Sequence, residues 1–271
     1  MSTTESQARI DAAETFENDF VPALFAEWAP RVADAAGLES GQRVLDVACG
    51  TGVLAREAAR RVGPSGFVAG LDLDDGMLAV AGTRAPEIEW RQGTADAMPY
   101  PDQSFDAVVS QFGLMFFPDR EKAIGEMRRV LRPGGRMAVA VWDSLENTPA
   151  YAAEVALLER MAGKPSADAI RVPFVLGDPG ALHAMFQAAG IDRIMIETHR
   201  GRGRFPSIKA MVEADIRGWL PLIGIALSED LITRILAEAE VELGQYRKPD
   251  GTVEFDSPAL IVTGVAGGTT A

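Results

Sequence analysis

The chain has 271 residues, of which 47% are hydrophobic and 24% charged, and its formal net charge at pH 7 is −13. This length fits one large domain or two small ones, with enough hydrophobic residues for a sizeable core. A strongly acidic chain is repelled by phosphate backbones, which argues against a nucleic-acid partner. The apolar runs are short and interrupted by glycine, proline or charge, so no membrane-spanning helix is expected.

The few cysteine and histidine residues limit redox and metal chemistry. Cys49 is the only cysteine, which rules out a disulfide within the chain, and the two histidines, His183 and His199, argue against a zinc site. The polar N-terminal residues lack the basic and apolar regions of a signal peptide. These features together predict a cytoplasmic protein without a metal.

The N-terminal region predicts a helix. Within residues 11–36, Phe16, Phe20, Leu24 and Trp28 recur every four residues, which is typical of an amphipathic helix. Such a helix either packs on the core or covers a pocket, and the two roles are compatible.

From Gly41 to Trp142, strands and helices alternate with short connections, which predicts a parallel sheet. The predicted strands are Arg43–Val47, Phe67–Leu71, Ile88–Gln92, Phe105–Ser110 and Arg136–Trp142. The predicted helices are Val53–Arg61, Asp75–Arg84 and Arg120–Leu131.

Beyond Trp142 the pattern loosens, and we interpret the remainder as insertions in one domain. Helices are predicted at Pro149–Ala162, Pro179–Ala189, Ser207–Ile223 and Glu229–Tyr246. Strands are predicted at Ile191–His199 and at Val253–Val265, the latter broken near Asp256-Ser257-Pro258.

The first motif is an apolar strand that enters a glycine-rich turn and then a helix, Val44-Leu45-Asp46-Val47-Ala48-Cys49-Gly50-Thr51-Gly52. Gly50 and Gly52 allow a tight turn and a close approach to a ligand at the helix N-terminus. The spacing fits either a dinucleotide fingerprint or the nucleotide loop of S-adenosylmethionine enzymes. Asp46 favours the second, because a carboxylate repels pyrophosphate and suits a ligand that carries ammonium and sulfonium groups.

Further candidate residues follow the next three strands. Asp72 ends the second strand and suits acceptance of hydrogen bonds from ribose hydroxyls, with Leu73 beside it for the adenine face, while Asp74 and Asp75 are interpreted as helix caps. The loop after the third strand offers a polar side chain and a backbone N–H to the adenine edge. Gln111 ends the fourth strand, at the crevice where ligands of such sheets bind.

Together the segments VLDVACGTG, GLDLDDGML, GTADAMPYPDQSFDAVVSQFGL and EMRRVLRPGGR resemble class I S-adenosylmethionine-dependent methyltransferases. The nearest resemblance is to the group that contains the ubiquinone/menaquinone-biosynthesis C-methyltransferases. It implies a Rossmann-like α/β fold with a seven-stranded, mostly parallel sheet that ends in a C-terminal antiparallel hairpin. The single domain 1–271 would comprise an N-terminal helical lid (1–40), a cofactor-binding core (41–145) and helical insertions (146–180 and 206–248).

The resemblance also implies which residues bind S-adenosylmethionine. They are Asp46, Ala48, Gly50, Thr51, Gly52, Asp72, Leu73, Thr94, Ala95 and Gln111. Thr94 departs from the Asp or Asn usual at the adenine position, and Asp96 is a possible substitute. A counterpart of the quinone enzymes' C-terminal signature is missing, so this kinship does not name the substrate.

The expected activity is methyl transfer by in-line displacement to a small, largely uncharged organic acceptor. The alternatives are an NAD(P)-dependent oxidoreductase and a non-catalytic protein that binds S-adenosylmethionine. No catalytic residue is assigned. The acceptor pocket is predicted to be lined from the lid and insertions by Phe16, Phe20, Trp28, Tyr151, Met211, Trp219 and Leu222. The same side chains could instead bury a homodimer interface. The run from His199 to Arg204 is interpreted as a solvated strand end or a local counter-charge.

Overall fold

A computed structural model describes residues 3–267, and the side chains of residues 6–221 and 223–267. The strands of this part of the chain are β1 Arg43–Val47, β2 Phe67–Asp72, β3 Glu89–Gln92, β4 Phe105–Gln111, β5 Leu131–Trp142, β6 Ile191–His199, β7 Arg202–Phe205, β8 Val253–Asp256 and β9 Ala259–Ala266. The α-helices are α1 Thr3–Thr15, α2 Trp28–Ala35, α3 Val53–Val62, α4 Asp75–Arg84, α5 Arg120–Val130, α6 Pro149–Ala162, α7 Lys164–Arg171, α8 Pro179–Ala188, α9 Ile208–Glu213, α10 Leu220–Leu222 and α11 Glu229–Glu242.

Two π-helices interrupt the helical segments, the first at Phe16–Phe25 and the second at Ala214–Trp219. Short 3₁₀ turns occur at Leu114–Phe116, Leu145–Asn147, Val172–Phe174 and Gly244–Tyr246. In the described residues, no helix combines the length and the apolar composition that crossing a membrane requires.

The main sheet has seven strands in the order β3-β2-β1-β4-β5-β9-β6. The first five strands in this order, β3, β2, β1, β4 and β5, run parallel to one another, and β9 lies antiparallel between β5 and β6. The predicted seven-stranded sheet with its terminal antiparallel hairpin is therefore confirmed. β1 carries Val44, Leu45 and Val47 and buries all three, as expected for a central strand that is covered on both faces.

The predicted last strand belongs to two different sheets. β8 pairs with β7 in a separate two-stranded sheet, whereas β9 enters the main sheet. The break falls at Ser257-Pro258, where proline has no N–H to donate to a strand neighbour. β7 was not predicted, and it forms because Arg202–Phe205 finds β8 as its partner across a large gap in the sequence.

The core elements lie within a few residues of their predictions, and the two long predicted helices are helical but neither is one continuous α-helix. The predicted helix 11–36 comprises α1, the first π-helix and α2, and Pro22 lies within the π-helix, where it has no N–H to donate. The predicted helix Ser207–Ile223 is divided by the second π-helix. Helix α7 was not predicted.

Candidate functional site

The glycine loop that follows β1 has the conformation that its glycines favour. Gly50 and Gly52 have φ of +53° and +88°, in the left-handed region. The N–H of Gly52 donates to the carbonyl of Cys49 at 2.9 Å, and α3 begins at the next residue. A Cβ at position 52 would lie 2.4 Å from Cη2 of Trp90, so the loop also needs glycine for packing.

Asp72 links the end of β2 to this loop. Its Oδ2 accepts from the N–H of Gly50 at 2.7 Å, and its Oδ1 accepts from the N–H of Asp74 at 3.0 Å. Burial raises the pKa of Asp72, while these two N–H donors act in the opposite direction. A carboxylate has about four acceptor sites, so the two used by the backbone leave capacity for a ligand.

Asp46 is a buried carboxyl without a donor. Its side chain is 1% exposed, and neither oxygen has a hydrogen-bond partner among the described residues. Burial, and next the charge of Asp72, raise the pKa of Asp46 well above its ordinary value. The backbone N–H of Ala55, which lies nearby without forming a hydrogen bond, and the charge of Arg56 oppose this only in part. A buried polar group without a partner is costly, which points to a ligand that donates hydrogen bonds or brings positive charge.

A cavity of about 1170 Å³ lies over the glycine loop. This exceeds the usual range of 300–1,000 Å³ for one ligand pocket, so the space can hold two small molecules side by side. Of the predicted site residues, the cavity is lined by Asp46, Ala48, Gly50, Thr51 and Gln111. The other walls carry many aromatic rings, including Phe16, Phe20, Phe25, Phe112, Phe116, Trp142, Phe174, Phe205 and Trp219. Charged side chains also line them, namely Asp19, Arg204, Glu213, Asp215, Arg217 and Glu254.

The remaining predicted site residues lie outside this cavity. Leu73 is 65% exposed, and Thr94 is exposed in the loop after β3. Two hydrogen bonds hold the loop after β3 to the loop after β2. Gln92 Nε2 donates to the carbonyl of Leu73 at 2.9 Å, and the N–H of Gly93 donates to the carbonyl of Asp72 at 2.9 Å. The site thus has an enclosed end at the glycine loop and an open end toward Thr94 and Ala95.

The N-terminal segment closes the enclosed end through contacts that sequence reasoning missed. Glu17, in the first π-helix, accepts from the Thr51 hydroxyl and forms an ion pair of 2.8 Å with Arg56, and its side chain is only 8% exposed. Gln111 Nε2 donates to the carbonyl of Phe25 at 3.0 Å. Nothing in the sequence near Glu17 marks it, because its partners lie on distant elements.

The wall at the end of β4 contains a strained residue. Phe112 has φ of +57°, which is unusual for a bulky side chain, and its ring stacks on that of Trp142 with centroids 3.7 Å apart. Such backbone strain clusters at functional sites, where packing compensates for it.

The predicted acceptor-pocket residues are divided by the structure. Phe16, Phe20, Tyr151 and Trp219 line the cavity. Trp28 and Met211 are fully buried core residues and do not line the cavity. Trp28 packs edge-on against the rings of Phe112 and Trp142. The side chain of Leu222 lies outside the described part of the chain.

The Arg-Gly run forms the counter-charge that was predicted. Arg202 and Arg204 lie on β7, and both pair with Glu254 of β8, at 2.5 and 3.2 Å. Neither His183 nor His199 lines the cavity. In the described residues, no group of three or more His, Cys, Asp or Glu side chains is placed to hold a metal ion.

Comparisons with known proteins identify the family of the chain. The family model described as a methyltransferase domain matches residues 44–135. The ubiquinone/menaquinone biosynthesis C-methyltransferase of Pseudomonas putida (strain W619) is 35% identical over 201 residues, which are 64% of this chain and 77% of that protein.

Solved structures share the fold. The YcgJ protein of Bacillus subtilis superposes with a TM-score of 0.61 at 20% identity, over 89% of this chain and 99% of that one. The Haemonchus contortus phosphoethanolamine N-methyltransferase 2, in complex with S-adenosyl-L-methionine, gives a TM-score of 0.61 at 19% identity, over 96% of this chain and 57% of that one.

The chain belongs to the class I S-adenosylmethionine-dependent methyltransferases, in the family that includes the C-methyltransferases named above. It is a methyltransferase with S-adenosylmethionine as its cofactor, and it methylates a small molecule.

Proposed function

We propose that this methyltransferase holds the methionine end of its cofactor at Asp46 and the glycine loop, and methylates an organic acceptor whose body is largely uncharged. The observation that carries the proposal is the buried carboxyl of Asp46, which faces a cavity and has no donor among the described residues. A cofactor with an ammonium and a sulfonium supplies the missing donor and positive charge.

The other residues of the site fit parts of the same cofactor. Asp72 keeps acceptor capacity for the ribose hydroxyls after its two backbone contacts. Leu73 is exposed and available to pack on the adenine face, and Thr94 and Ala95 lie beyond it at the open end. Ala48, Gly50, Thr51, Gly52 and Gln111 complete the proposed binding set.

The protein's part in the reaction is to bind, orient and exclude water. S-adenosylmethionine, when bound, supplies an activated methyl group, so positioning and desolvation are the main requirements on the protein. The first π-helix covers the glycine loop through Glu17, and Gln111 ties it to the end of β4. No residue is assigned as a general base for the transfer.

The cavity walls support an acceptor with a largely uncharged body. Aromatic and other apolar side chains form much of the wall that the glycine loop leaves free, and buried ligands are bound mainly by such apolar surface with a few polar contacts. A cytoplasmic location, from the cysteine content, and a homodimer, from the apolar insertions, stay predictions.

Calorimetry with S-adenosylhomocysteine, and with NADH as the comparison, tests the cofactor assignment. We expect S-adenosylhomocysteine to bind and NADH not to bind. Asp46→Asn should weaken the binding of S-adenosylhomocysteine roughly tenfold to a hundredfold, since one charge-assisted contact contributes about 1.5–3 kcal/mol. Binding of NADH with no binding of S-adenosylhomocysteine would contradict the proposal, as would an Asp46→Asn variant that binds like the wild type.

A further inference from the structure

Three polar side chains lie on the insertion segments that wall the cavity. Tyr151 and Glu154 lie one turn apart on α6, and Asp215 is the second residue of the second π-helix. Tyr151 and Asp215 line the cavity, and each is 6% exposed. Glu154 is fully buried next to Asp215. None of the three belongs to the cofactor-binding core.

The two carboxyl groups have no partner but each other. Oδ2 of Asp215 and both carboxyl oxygens of Glu154 accept no hydrogen bond from an N–H or hydroxyl group of the described residues, and the two carboxyl groups share one hydrogen bond, in which Glu154 holds the proton. A buried carboxyl pair that has only itself as a partner is destabilising, and proteins rarely keep one unless a ligand or ion satisfies it. Asp215 is the member of the pair that lines the cavity, and Glu154 lies behind it.

The described residues offer this pair no neutralising charge. The cavity-lining arginines are already engaged: Arg204 pairs with Glu254 at 3.2 Å, and Arg217 pairs with Glu229 at 2.7 Å and with Glu213 at 3.2 Å. Burial raises the pKa of Asp215, and burial together with the charge of Asp215 raises the pKa of Glu154. A cation that enters the cavity would therefore meet a carboxyl pair that no described cation already neutralises.

We propose that Asp215, supported by Glu154, binds a protonated amine of the methyl acceptor inside the cavity. This inference rests on the proposed function, because it names the chemical class of the acceptor. An ammonium carries up to three N–H donors and a positive charge. It can therefore donate hydrogen bonds to the carboxyl oxygens of the pair and neutralise their charge. A hydroxyl supplies one hydrogen and no charge.

The neighbouring rings favour the same ligand class. Tyr151 and Trp219 line the cavity with Asp215, and aromatic faces attract cations. The second π-helix also packs against the first, since a Cβ at Gly218 would lie 3.3 Å from the Phe20 ring. The amine site and the N-terminal cover of the cofactor site thus share one cavity, and π-helical turns are frequent at functional sites.

The test uses the full-length protein saturated with S-adenosylhomocysteine and matched pairs of probes. The amines are phenethylamine and tryptamine, and the controls are the corresponding alcohols, phenethyl alcohol and tryptophol. Binding is measured by calorimetry and ligand-observed NMR for the wild type, Asp215→Asn and Glu213→Gln. Glu213 is the matched control, because it lines the same cavity but already pairs with Arg217.

We expect the amines to bind at least tenfold more tightly than the alcohols. Asp215→Asn should remove this preference, Glu213→Gln should keep it, and all three proteins should bind S-adenosylhomocysteine within about twofold, which also shows that they fold. Asp215→Ser replaces Asp215→Asn if the latter does not fold.

Equal binding of amines and alcohols, no binding of either amine, or an unchanged preference in Asp215→Asn would overturn the proposal. The titrations are repeated without S-adenosylhomocysteine. Amine selectivity that depends on Asp215 in a protein that does not bind S-adenosylhomocysteine would support the amine site and contradict the proposed function, so the two failures are distinguishable.

Discussion

Replacement of Asp72 by alanine tests the ribose anchor, and the structure shows that it also removes two backbone contacts. The N–H groups of Gly50 and Asp74 lose their acceptor, at 2.7 and 3.0 Å respectively. Leaving such donors without a partner costs about 1–3 kcal/mol, reduced where water can reach them. In a protein of this size each kcal/mol corresponds to roughly 2–4 °C, so the melting temperature should fall by several degrees.

The same substitution should weaken cofactor binding by more than this loss of stability explains. A charge-assisted hydrogen bond contributes about 1.5–3 kcal/mol, so we expect the affinity for S-adenosylhomocysteine to fall roughly tenfold to a hundredfold. The affinity is measured by calorimetry well below the melting temperature of the variant, where the folded fraction is close to one.

Asp74→Ala is the matched control. Asp74 caps α4 by accepting from the N–H of Met77 at 3.0 Å, and loss of a cap costs about 1 kcal/mol. Arg9 keeps its closer partner, Asp75, at 3.1 Å. This variant should lose stability but keep its affinity for S-adenosylhomocysteine within about twofold. Equal losses of affinity in the Asp72 and Asp74 variants, or no loss in Asp72→Ala, would refute the ribose role.

Three further outcomes are expected. Because burial raises the pKa of Asp46, the native state binds more protons than the unfolded state, and the contribution of Asp46 to stability falls as pH rises above about 4. Thermal melts should therefore show that Asp46→Asn gains stability relative to the wild type between pH 5 and pH 8. A difference in melting temperature that stays constant over this range would contradict the argument. Gly52→Ala should lower the free energy of unfolding by more than the roughly 1–2 kcal/mol of left-handed backbone strain, because its Cβ meets Trp90. Gly134→Ala is the control: its φ is +78° and the space around it is open, so it should lose only the strain energy. Equal losses of the two variants in urea unfolding would contradict a role for the Trp90 contact. Glu17→Ala removes the contacts of the first π-helix with Thr51 and Arg56, which are worth about 1–1.5 kcal/mol. Stopped-flow measurements should therefore show S-adenosylhomocysteine released about five- to tenfold faster. An unchanged release rate would show that the first π-helix does not hold the ligand.

The cofactor-binding core could be predicted from the sequence because its signals are local. The apolar run of β1, the glycines that follow it and the acidic end of β2 each reflect the conformation of a few neighbouring residues. Parallel strands then bring their carboxyl ends to one edge of the sheet, which places Asp46, Asp72 and Gln111 near one another without further information.

The cover of the site depended on contacts between distant elements. The first π-helix is positioned by Glu17 against Thr51 and Arg56, and neither its π geometry nor these partners follow from the spacing of its phenylalanines. The same spacing suggested that Trp28 lines the pocket, but packing against neighbouring rings places it in the core. Helical periodicity identifies an apolar face but does not identify the surface that this face will meet.

The sequence by itself determined the class of fold, the glycine loop and the cofactor, because strand and turn propensities and a carboxylate at a strand end act over a few residues. Only the tertiary structure decided that β8 leaves the main sheet to pair with β7, and that Glu154 and Asp215 meet beside the cavity. Those pairings join residues far apart in the chain, and they depend on how the elements that carry them pack together, which no local pattern encodes.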